Sequence, residues 1–421
     1  MLKKILNSII KPLNPIDVDI RTKEPVGPFG YVSRVKLISI SFIKLEKVSF
    51  FYLLNLFKHI FIDLAKILYA PLILIVSFTN LRFVRINYWQ FGTFIQHSYF
   101  LKLKQNLEGK SKKFILYLPR GQASNVTISL FVKRNLIVVE NLILCLILFP
   151  FFHSKYSSED ILNLDEHSRN SITYKLNKKK NTFKFFNKNE EKRYNKILFE
   201  KINKNRKRKI ITINLRLGDF YSDFKSHRNV EVKTYFKCLN YLVEKNYIII
   251  SFLPKKIFSN YLRKKILFIE DLNFGSIQNQ MEIFILKSSY FFITTNFGPK
   301  NLCQAFKVPC LITNLFPFGN IIPYNNNDIT IPKIISKKNK KLTLNEILNK
   351  NILFSFPNSS YKVLNNTSND ILNGCFDMLK NLKNKKKVKA REKIINKKIP
   401  CYEGKGTISK SFIKKNNFFI N

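Results

Sequence analysis

The chain has 421 residues, with 73 Lys and Arg against 27 Asp and Glu, and a formal net charge of +46. This length is enough for two or three domains that each bury a core. Most of the cations are Lys, and no zinc-finger, helix-turn-helix or RNA-binding aromatic motif accompanies them, so the sequence predicts no specific nucleic-acid partner. The charge still favours anionic membranes and anionic substrates.

The cysteines and histidines do not form a recognisable site. Six cysteines and five histidines show no CxxC, HExxH or HxH spacing, so we predict no metal site. Cys145 and Cys310 stand in apolar runs, which is typical of buried free thiols rather than disulfides.

Residues 1–79 are predicted to form a basic and apolar N-terminal region that associates with a membrane. Leu2–Leu13 has the pattern of a basic amphipathic helix, which suits either the surface of an anionic membrane or the body of the protein. The apolar stretch 45–79 is interrupted by Asp63, Lys66 and Pro71, and its longest clean run, Ile67–Phe78, is well short of the roughly 20 residues that a membrane span needs. The same applies to Leu136–Phe152, which carries Glu140. We expect buried or interfacial elements in both.

Strands and helices alternate in two later regions. The first, residues 80–153, is predicted as an N-terminal lobe with the strand Leu81–Tyr88, a turn around Gly92 and the helix Phe94–Lys104. A polar linker follows at 154–209. The second lobe, 210–335, has predicted strands near 210, 247, 266, 290 and 308, each separated by a helix. A basic helical segment and tail is predicted for 336–421. Such alternation predicts α/β folding, with ligands bound beyond the carboxyl ends of parallel strands.

The first loop with candidate functional residues is Asn214–Asn229, which has the sequence NLRLGDFYSDFKSHRN. Arg216 directly follows a strand and can hold an anion through two parallel hydrogen bonds. Asp219 and His227 are candidate bases, and Arg228 and Asn229 complete a polar cluster before the next helix. The alternative is a solvated loop with incidental charges.

The second loop is TTNFGP, which includes Thr295, Asn296, Gly298 and Pro299. Pro299 stands where a helix would begin, a position that suits its fixed φ. Unpaired backbone N–H groups at such a strand-to-helix turn attract phosphate. The alternative is an ordinary connection between a strand and a helix.

Together the two loops resemble a family of bacterial glycosyltransferases. The resemblance rests on HRN before a helix with Tyr235, on MEIFIL, and on ITTNFGPKNLCQAFKVPCLITNLFP, where the family has YRN…Y, D-IF and G-T-x-SGP…GVP…TN–P. It extends to IPKIISKKNKKLTLNEIL and FGTFIQHSYFL, covers most of residues 80–380, and is strongest over 211–317. Asn214 stands where the family has His, Glu282 where it has Asp, and Phe297 where it has Ser. Ile250–Phe252 replaces an Arg-containing turn of the family.

The resemblance implies a GT-B-like architecture, in which two Rossmann-like doubly wound lobes face a cleft, with distant similarity to fucosyltransferases. It implies a metal-independent enzyme without a cofactor, which moves a sugar from a nucleotide-sugar donor to a glycan or lipid-linked acceptor in bacterial surface polysaccharide biosynthesis. Asp219 or His227 would be the catalytic base. The implied donor-binding residues are Arg216, Arg228, Asn229, Thr295, Asn296, Gly298, Pro299 and Asn314.

The expected location is the cytoplasm, with peripheral attachment to the inner face of the cell membrane. The alternative function is a catalytically inactive, glycosyltransferase-like scaffold in a polysaccharide assembly. Binding of a nucleotide diphosphate distinguishes the two, because an enzyme must bind its donor and a scaffold need not.

Overall fold

The structure is a computed structural model. The residues that it describes are 65, 68–86, 88, 91–107, 112–118, 120–153, 183–202, 208–218, 227–317, 327–349, 360–384 and 406–419. The predicted helix Leu2–Leu13, most of the predicted linker and the candidate base Asp219 lie outside these residues. Within the described part of the chain, no helix is long and apolar enough to cross a membrane.

The chain divides into two compact units. The first contains Met1–Tyr88, Lys104–Ala123 and Asn135–Asp165, and the second contains Trp89–Leu103, Ser124–Arg134 and Glu166–Asn421. The domain limits inferred from composition stay predictions.

The first unit contains a three-stranded parallel sheet in the order β1-β2-β3. Phe83 in β1 packs against Phe151, with ring centroids 5.1 Å apart. The strands are β1 Leu81–Arg85, β2 Lys113–Tyr117 and β3 Ile137–Val139. The helices up to residue 153 are α1 Ala70–Ser77, α2 Phe91–Leu107, α3 Val126–Asn135, α4 Leu142–Ile147 and α5 Phe149–His153.

The second unit is organised around a seven-stranded sheet in the order β13-β9-β8-β7-β4-β5-β6, in which every neighbouring pair is parallel. Counted from β4, the first six strands follow the order 3-2-1-4-5-6 of the doubly wound Rossmann fold. The strands of this sheet are β4 Ile210–Asn214, β5 Ile248–Ser251, β6 Leu267–Phe268, β7 Phe291–Thr294, β8 Cys310–Leu315, β9 Ile329–Pro332 and β13 Thr407–Ile408.

The composition of these strands explains their place in the centre of the unit. The segments IIIS of β5, FFIT of β7 and CLITNL of β8 are buried at every position. Continuous apolar runs of this kind are typical of parallel strands that are covered on both faces. The remaining helices are α6 Lys188–Ile202, α7 Phe236–Glu244, α8 Asn260–Lys265, α9 Gln278–Lys287, α10 Pro299–Ala305, α11 Leu344–Asn349, α12 Ser368–Asn384 and α13 Lys410–Lys415.

The α/β prediction is confirmed. The five strands expected near 210, 247, 266, 290 and 308 all form in one parallel sheet, and the strands near residues 81 and 113 belong to a separate sheet. The five described cysteines are free and buried, as expected.

Two local expectations were wrong or incomplete. The predicted turn around Gly92 is instead the first turn of α2, which begins at Phe91. The chain beyond 335 contains strands as well as helices, because β10 Ile334–Lys337, β11 Lys340–Lys341 and β12 Tyr361–Leu364 form a small antiparallel sheet and β13 joins the large one.

The end of the described chain is held on the second unit by one carboxylate. Asp377 in α12 accepts hydrogen bonds from the hydroxyl of Ser409 at 2.7 Å and from the backbone N–H of Ser411 at 3.1 Å. Phe412 is buried beside them. These contacts hold β13 against β9, where it covers what would otherwise be an open sheet edge.

Candidate functional site

The candidate site lies where the strand order of the large sheet reverses. β4 and β7 are neighbours there, and Asn214 pairs with Thr294 at their carboxyl ends. Chain connections leave such a point in opposite directions, so a crevice opens beyond the strand ends and ligands bind in it. The two loops that follow these strands are the ones singled out in the sequence.

A hydrogen bond joins the beginnings of the two loops. The backbone N–H of Arg216 donates to the hydroxyl oxygen of Thr295 at 3.0 Å. Thr295 is fully buried, so the bond fixes the point at which Arg216 leaves β4. Further along the first loop, the N–H of Val230 donates to the carbonyl of Arg216 at 3.3 Å, which brings residues 228–230 back to the strand end.

Arg228 ties the first loop to the second. Its Nε and Nη2 donate to the backbone carbonyl of Asn296, at 3.2 and 2.7 Å. The side-chain amide of Asn296 in turn donates to the carbonyl of Phe316 at 3.2 Å. Because these bonds link the ends of β4, β7 and β8, the three loops form one connected surface.

A buried lysine binds the backbone of the first loop next to Arg228. Lys333 follows β9, is 2% exposed, and donates from Nζ to the carbonyls of His227 and Asn229, the latter at 3.1 Å. Burial lowers the pKa of Lys333 to about 8. The ring of His227 packs edge-on to Phe316, with centroids 6.2 Å apart. Sequence reasoning missed Lys333, although the IPK motif that contains it was noted.

Asn314 has a structural role in this arrangement. It has a left-handed φ of 50°, is 1% exposed, and its side-chain carbonyl accepts from the N–H of Asn366 at 2.7 Å. Its amide donates to the hydroxyl of Tyr235 at 3.1 Å, and that hydroxyl lies 2.5 Å from the hydroxyl of Thr313. Burial raises the pKa of Tyr235 well above its usual value, which keeps the phenol protonated. Tyr235, Thr313 and Asn366 therefore position the end of β8, and periodicity gave no signal for this network.

Gly298 is needed for packing rather than for an unusual backbone angle. It caps α10 with an ordinary helical φ of −50°, and Pro299 occupies the first turn as predicted. Gly92, in the first turn of α2, lies directly against it. A Cβ built on Gly92 would stand only 2.5 Å from the Cα of Gly298, and the side-chain amide of Asn301 donates to the Gly92 carbonyl at 3.0 Å. Two glycines thus let the two helix starts touch.

A salt bridge and a hydrogen bond tie α3 to residues 185–190, at the start of α6. Arg134 in α3 forms a paired salt bridge with Glu190, at 2.6 and 2.9 Å, and also donates to the carbonyl of Phe185 at 2.8 Å. Phe185 packs on Phe306 with centroids 4.4 Å apart, directly after α10. α10 is therefore contacted at both ends, by Gly92 at its start and by Phe185 after its last residue.

The structure thus brings together most of the predicted donor-binding residues. Arg216, Arg228, Asn229, Thr295 and Asn296 lie within one network of hydrogen bonds at the strand ends. Gly298 and Pro299 begin the adjoining helix, and Asn314 belongs to the buried network with Tyr235 and Asn366. His227 lies in the same loop as Arg228. The described residues contain no cluster of three or more His, Cys, Asp or Glu that could hold a metal ion.

Comparison with known proteins gives structural likenesses alone. No protein-family model matches the sequence, and no curated protein matches it. A glycosyl transferase family 9 structure from Veillonella parvula aligns with a TM-score of 0.45 and 12% identity, covering 72% of this chain and 98% of that one. The E. coli ADP-heptose LPS heptosyltransferase II aligns with a TM-score of 0.39 and 9% identity, over 72% and 99%. The wall teichoic acid polymerase TagF aligns at 0.25 and 10%, over 68% and 79%. At such scores these likenesses carry no argument about activity.

Proposed function

We propose that the protein is a glycosyltransferase that moves a sugar from a nucleotide-sugar donor to a glycan or lipid-linked acceptor in bacterial surface polysaccharide biosynthesis. One observation carries the proposal: the HRN loop and the TTNFGP turn meet at the switch point between β4 and β7. Nucleotide ligands bind at this position in doubly wound sheets. The sequence resemblance to bacterial glycosyltransferases is strongest in these two loops.

The positive side chains of this surface suit a diphosphate. Arg216 begins at the end of β4, and Arg228 lies beside Asn296. In the proposed reaction these guanidinium groups stabilise the negative charge that develops on the leaving nucleotide diphosphate. Asn229, Thr295, Gly298 and Pro299 shape the turn on which the diphosphate rests. Asn314 is buried, and its hydrogen bond to Tyr235 positions the end of β8 next to this turn.

A base must accept the proton of the acceptor hydroxyl as the new glycosidic bond forms. Asp219 and His227 are the two candidates, because both belong to the loop that carries Arg216 and Arg228. We propose that the reaction uses no metal ion, with the guanidinium groups supplying the positive charge that a divalent cation would otherwise provide.

We also propose that the protein works on the cytoplasmic face of a cell membrane, attached peripherally. The net charge of +46 favours an anionic lipid surface. A lipid-linked acceptor would then be presented at the surface on which the enzyme lies.

A catalytically inactive scaffold is the second candidate function. The observation that favours it is that Arg228 already uses two N–H donors on the Asn296 carbonyl, while the amide of Asn314 binds within the protein. In that reading the polar loops stabilise the fold and bind no donor.

The test begins with calorimetric titration of a panel of nucleotide diphosphates and nucleotide sugars. A glycosyltransferase is expected to bind one nucleotide family in the micromolar range and to release the nucleotide diphosphate when an acceptor is added. Transfer that persists with a chelator supports the metal-independent reaction, and transfer that needs an added divalent ion contradicts it. Absence of nucleotide binding across the panel would favour the scaffold.

A further inference from the structure

Two short helices of the first unit present apolar side chains to solvent. α1 has the sequence APLILIVS and α4 has the sequence LILCLI, so neither contains a charged residue. Each buries one side chain, Ile73 at 5% exposure in α1 and Cys145 at 1% in α4. The most exposed apolar side chains of the two helices are Leu72, Leu74, Ile75, Ile143, Leu144 and Ile147.

In the second unit, by contrast, the apolar side chains of helix α9 are buried. α9 buries Met281, Ile283, Phe284, Ile285 and Leu286 against neighbouring elements. Among the described residues, most of the large apolar side chains that remain exposed lie in the first unit instead. Contiguous apolar surface on a soluble protein is typical of an interaction site.

α1 and α4 both lie close to Phe151 in α5. Tyr69, directly before α1, packs edge-on to Phe151 of α5, with ring centroids 5.8 Å apart. α4 leads into α5 through Leu148, the C-cap residue of α4. Phe151 also stacks on Phe83 of β1, so this contact fixes both helices on the same sheet. The exposed side chains of α1 and α4 therefore belong to one region of the first unit.

Cationic residues stand at one end of this region. Phe78, which caps α1, is 84% exposed. Two residues later, the carbonyl of Asn80 accepts from the N–H of Lys113, whose side chain is exposed. Arg82 donates from Nη1 to the carbonyl of Thr79 at 2.9 Å. Apolar side chains flanked by Lys and Arg complement the chemistry of an anionic lipid surface, where acyl chains lie under negative headgroups.

We propose that α1 and α4 form a docking surface for an anionic lipid bilayer. The exposed Leu, Ile and Phe side chains enter the boundary between headgroups and acyl chains, while Arg82 and Lys113 contact the phosphates. With 8 residues, α1 is about 12 Å long, so the contact is interfacial. This inference rests on the proposed peripheral membrane attachment and assigns it to specific residues in the first unit.

The test is flotation of the full chain with vesicles of phosphatidylglycerol and phosphatidylcholine, compared with vesicles of phosphatidylcholine alone. The wild type is expected to float with the anionic vesicles. The double variant Leu74→Glu/Ile75→Glu places two carboxylates in α1 and should lower partitioning at least about tenfold. The matched control is Tyr261→Glu, which alters a side chain that is 49% exposed in α8 of the second unit and should float like the wild type.

Several results would overturn the proposal. The first is a wild type that does not float with anionic vesicles. The second is a double variant that floats as well as the wild type, although its thermal unfolding is unchanged. A third is a wild type that is a dimer in size-exclusion chromatography and becomes a monomer in the double variant, because α1 would then bind a second copy of the chain. If the double variant does not fold, Phe78→Ser and Lys113→Glu provide the same comparison at the edge of the surface.

Nucleotide titration of the same proteins separates this proposal from the enzymatic one. Unchanged nucleotide affinity in the double variant, together with lost flotation, supports a docking surface distinct from the donor site. If the wild type floats and the double variant does not, while neither binds any nucleotide, the docking surface stands and the transferase proposal fails.

Discussion

Arg228 donates two hydrogen bonds to the backbone carbonyl of Asn296, with N···O distances of 2.7 and 3.2 Å. These two residues are 68 positions apart in the chain. The bond joins the loop after β4 to the turn after β7, which are the two connections that flank the switch point of the sheet. The geometry of the candidate donor site therefore depends on the guanidinium group of Arg228, which holds the two loops together. The same group lies beside the proposed anion-binding position.

Arg216 provides a direct test of donor binding. A charged hydrogen bond contributes about 1.5–3 kcal/mol, so Arg216→Ala should weaken nucleotide-diphosphate binding roughly 10- to 100-fold in calorimetry. The matched control is Arg208→Ala, at the opposite end of β4, where Arg208 donates to the carbonyl of Asn246 at 3.0 Å. Each variant removes one guanidinium that flanks β4, on opposite sides of the strand. Equal affinities for the two variants would contradict a donor site at the carboxyl end.

The contact between Gly92 and Gly298 predicts a second pair of outcomes. Gly92→Ala would place a Cβ 2.5 Å from the Cα of Gly298, so the backbone of the turn must move and the variant should lose about 1–3 kcal/mol of stability. It should also lower nucleotide affinity, because the turn belongs to the proposed site. Chemical denaturation and calorimetry measure the two effects.

Gly374→Ala is the control for this prediction. A Cβ at Gly374 would crowd the Cδ1 of Ile331, the end of a flexible side chain that can move aside, at a position away from the switch point. Gly374→Ala should therefore change stability less than Gly92→Ala and leave nucleotide affinity unchanged. If both alanine variants bind nucleotide equally well, the close approach of α2 to α10 has a purely structural role.

Lys333 should make stability depend on pH in the alkaline range. Burial lowers the pKa of Lys333 to about 8, from an ordinary value near 10.5, so between these two values the unfolded chain binds more protons than the folded one. The free energy of unfolding should therefore rise with pH from about 8 to about 10.5. The variant Lys333→Met lacks this titration, and it leaves the carbonyls of His227 and Asn229 without the Nζ donor.

The measurement is the difference in unfolding free energy between wild type and Lys333→Met at pH 7, 9 and 10.5. Other groups titrate alike in both proteins, so their contributions cancel. The difference should grow in favour of the wild type as pH rises. A difference that is constant over this range would mean that the ammonium keeps its ordinary pKa in the folded protein.

Local pattern predicted the sheet well because each strand carries its own signal. The run IITIN of β4 and the run FFIT of β7 are apolar, short and bounded by polar residues, so their type and place followed from sequence. The candidate site could be located for the same reason, since ligands bind where parallel strands end.

Contacts between distant segments could not be predicted in this way. Lys333 reaches the carbonyl of Asn229 across 104 residues, and Asn301 reaches Gly92 across 209. The two-residue strand β13 pairs with β9 at the sheet edge, and Asp377, 34 residues away from Ser411, binds the segment that follows it. Periodicity reports which face of an element is buried, and it carries no information about which remote segment covers that face.

The identity of the base is the sharpest remaining prediction. Asp219→Asn preserves the shape of the side chain and removes its proton acceptor, so it should leave nucleotide affinity unchanged and lower transfer by about 100-fold or more if Asp219 is the base. His227→Gln is the parallel variant. The backbone carbonyl of His227, rather than its ring, binds Lys333, so the loop should keep its position when the ring is replaced. Transfer assays at saturating donor, with donor affinity measured separately, distinguish the two residues. The variant that loses turnover while keeping affinity identifies the base, and full turnover in both variants would exclude each of them from proton transfer.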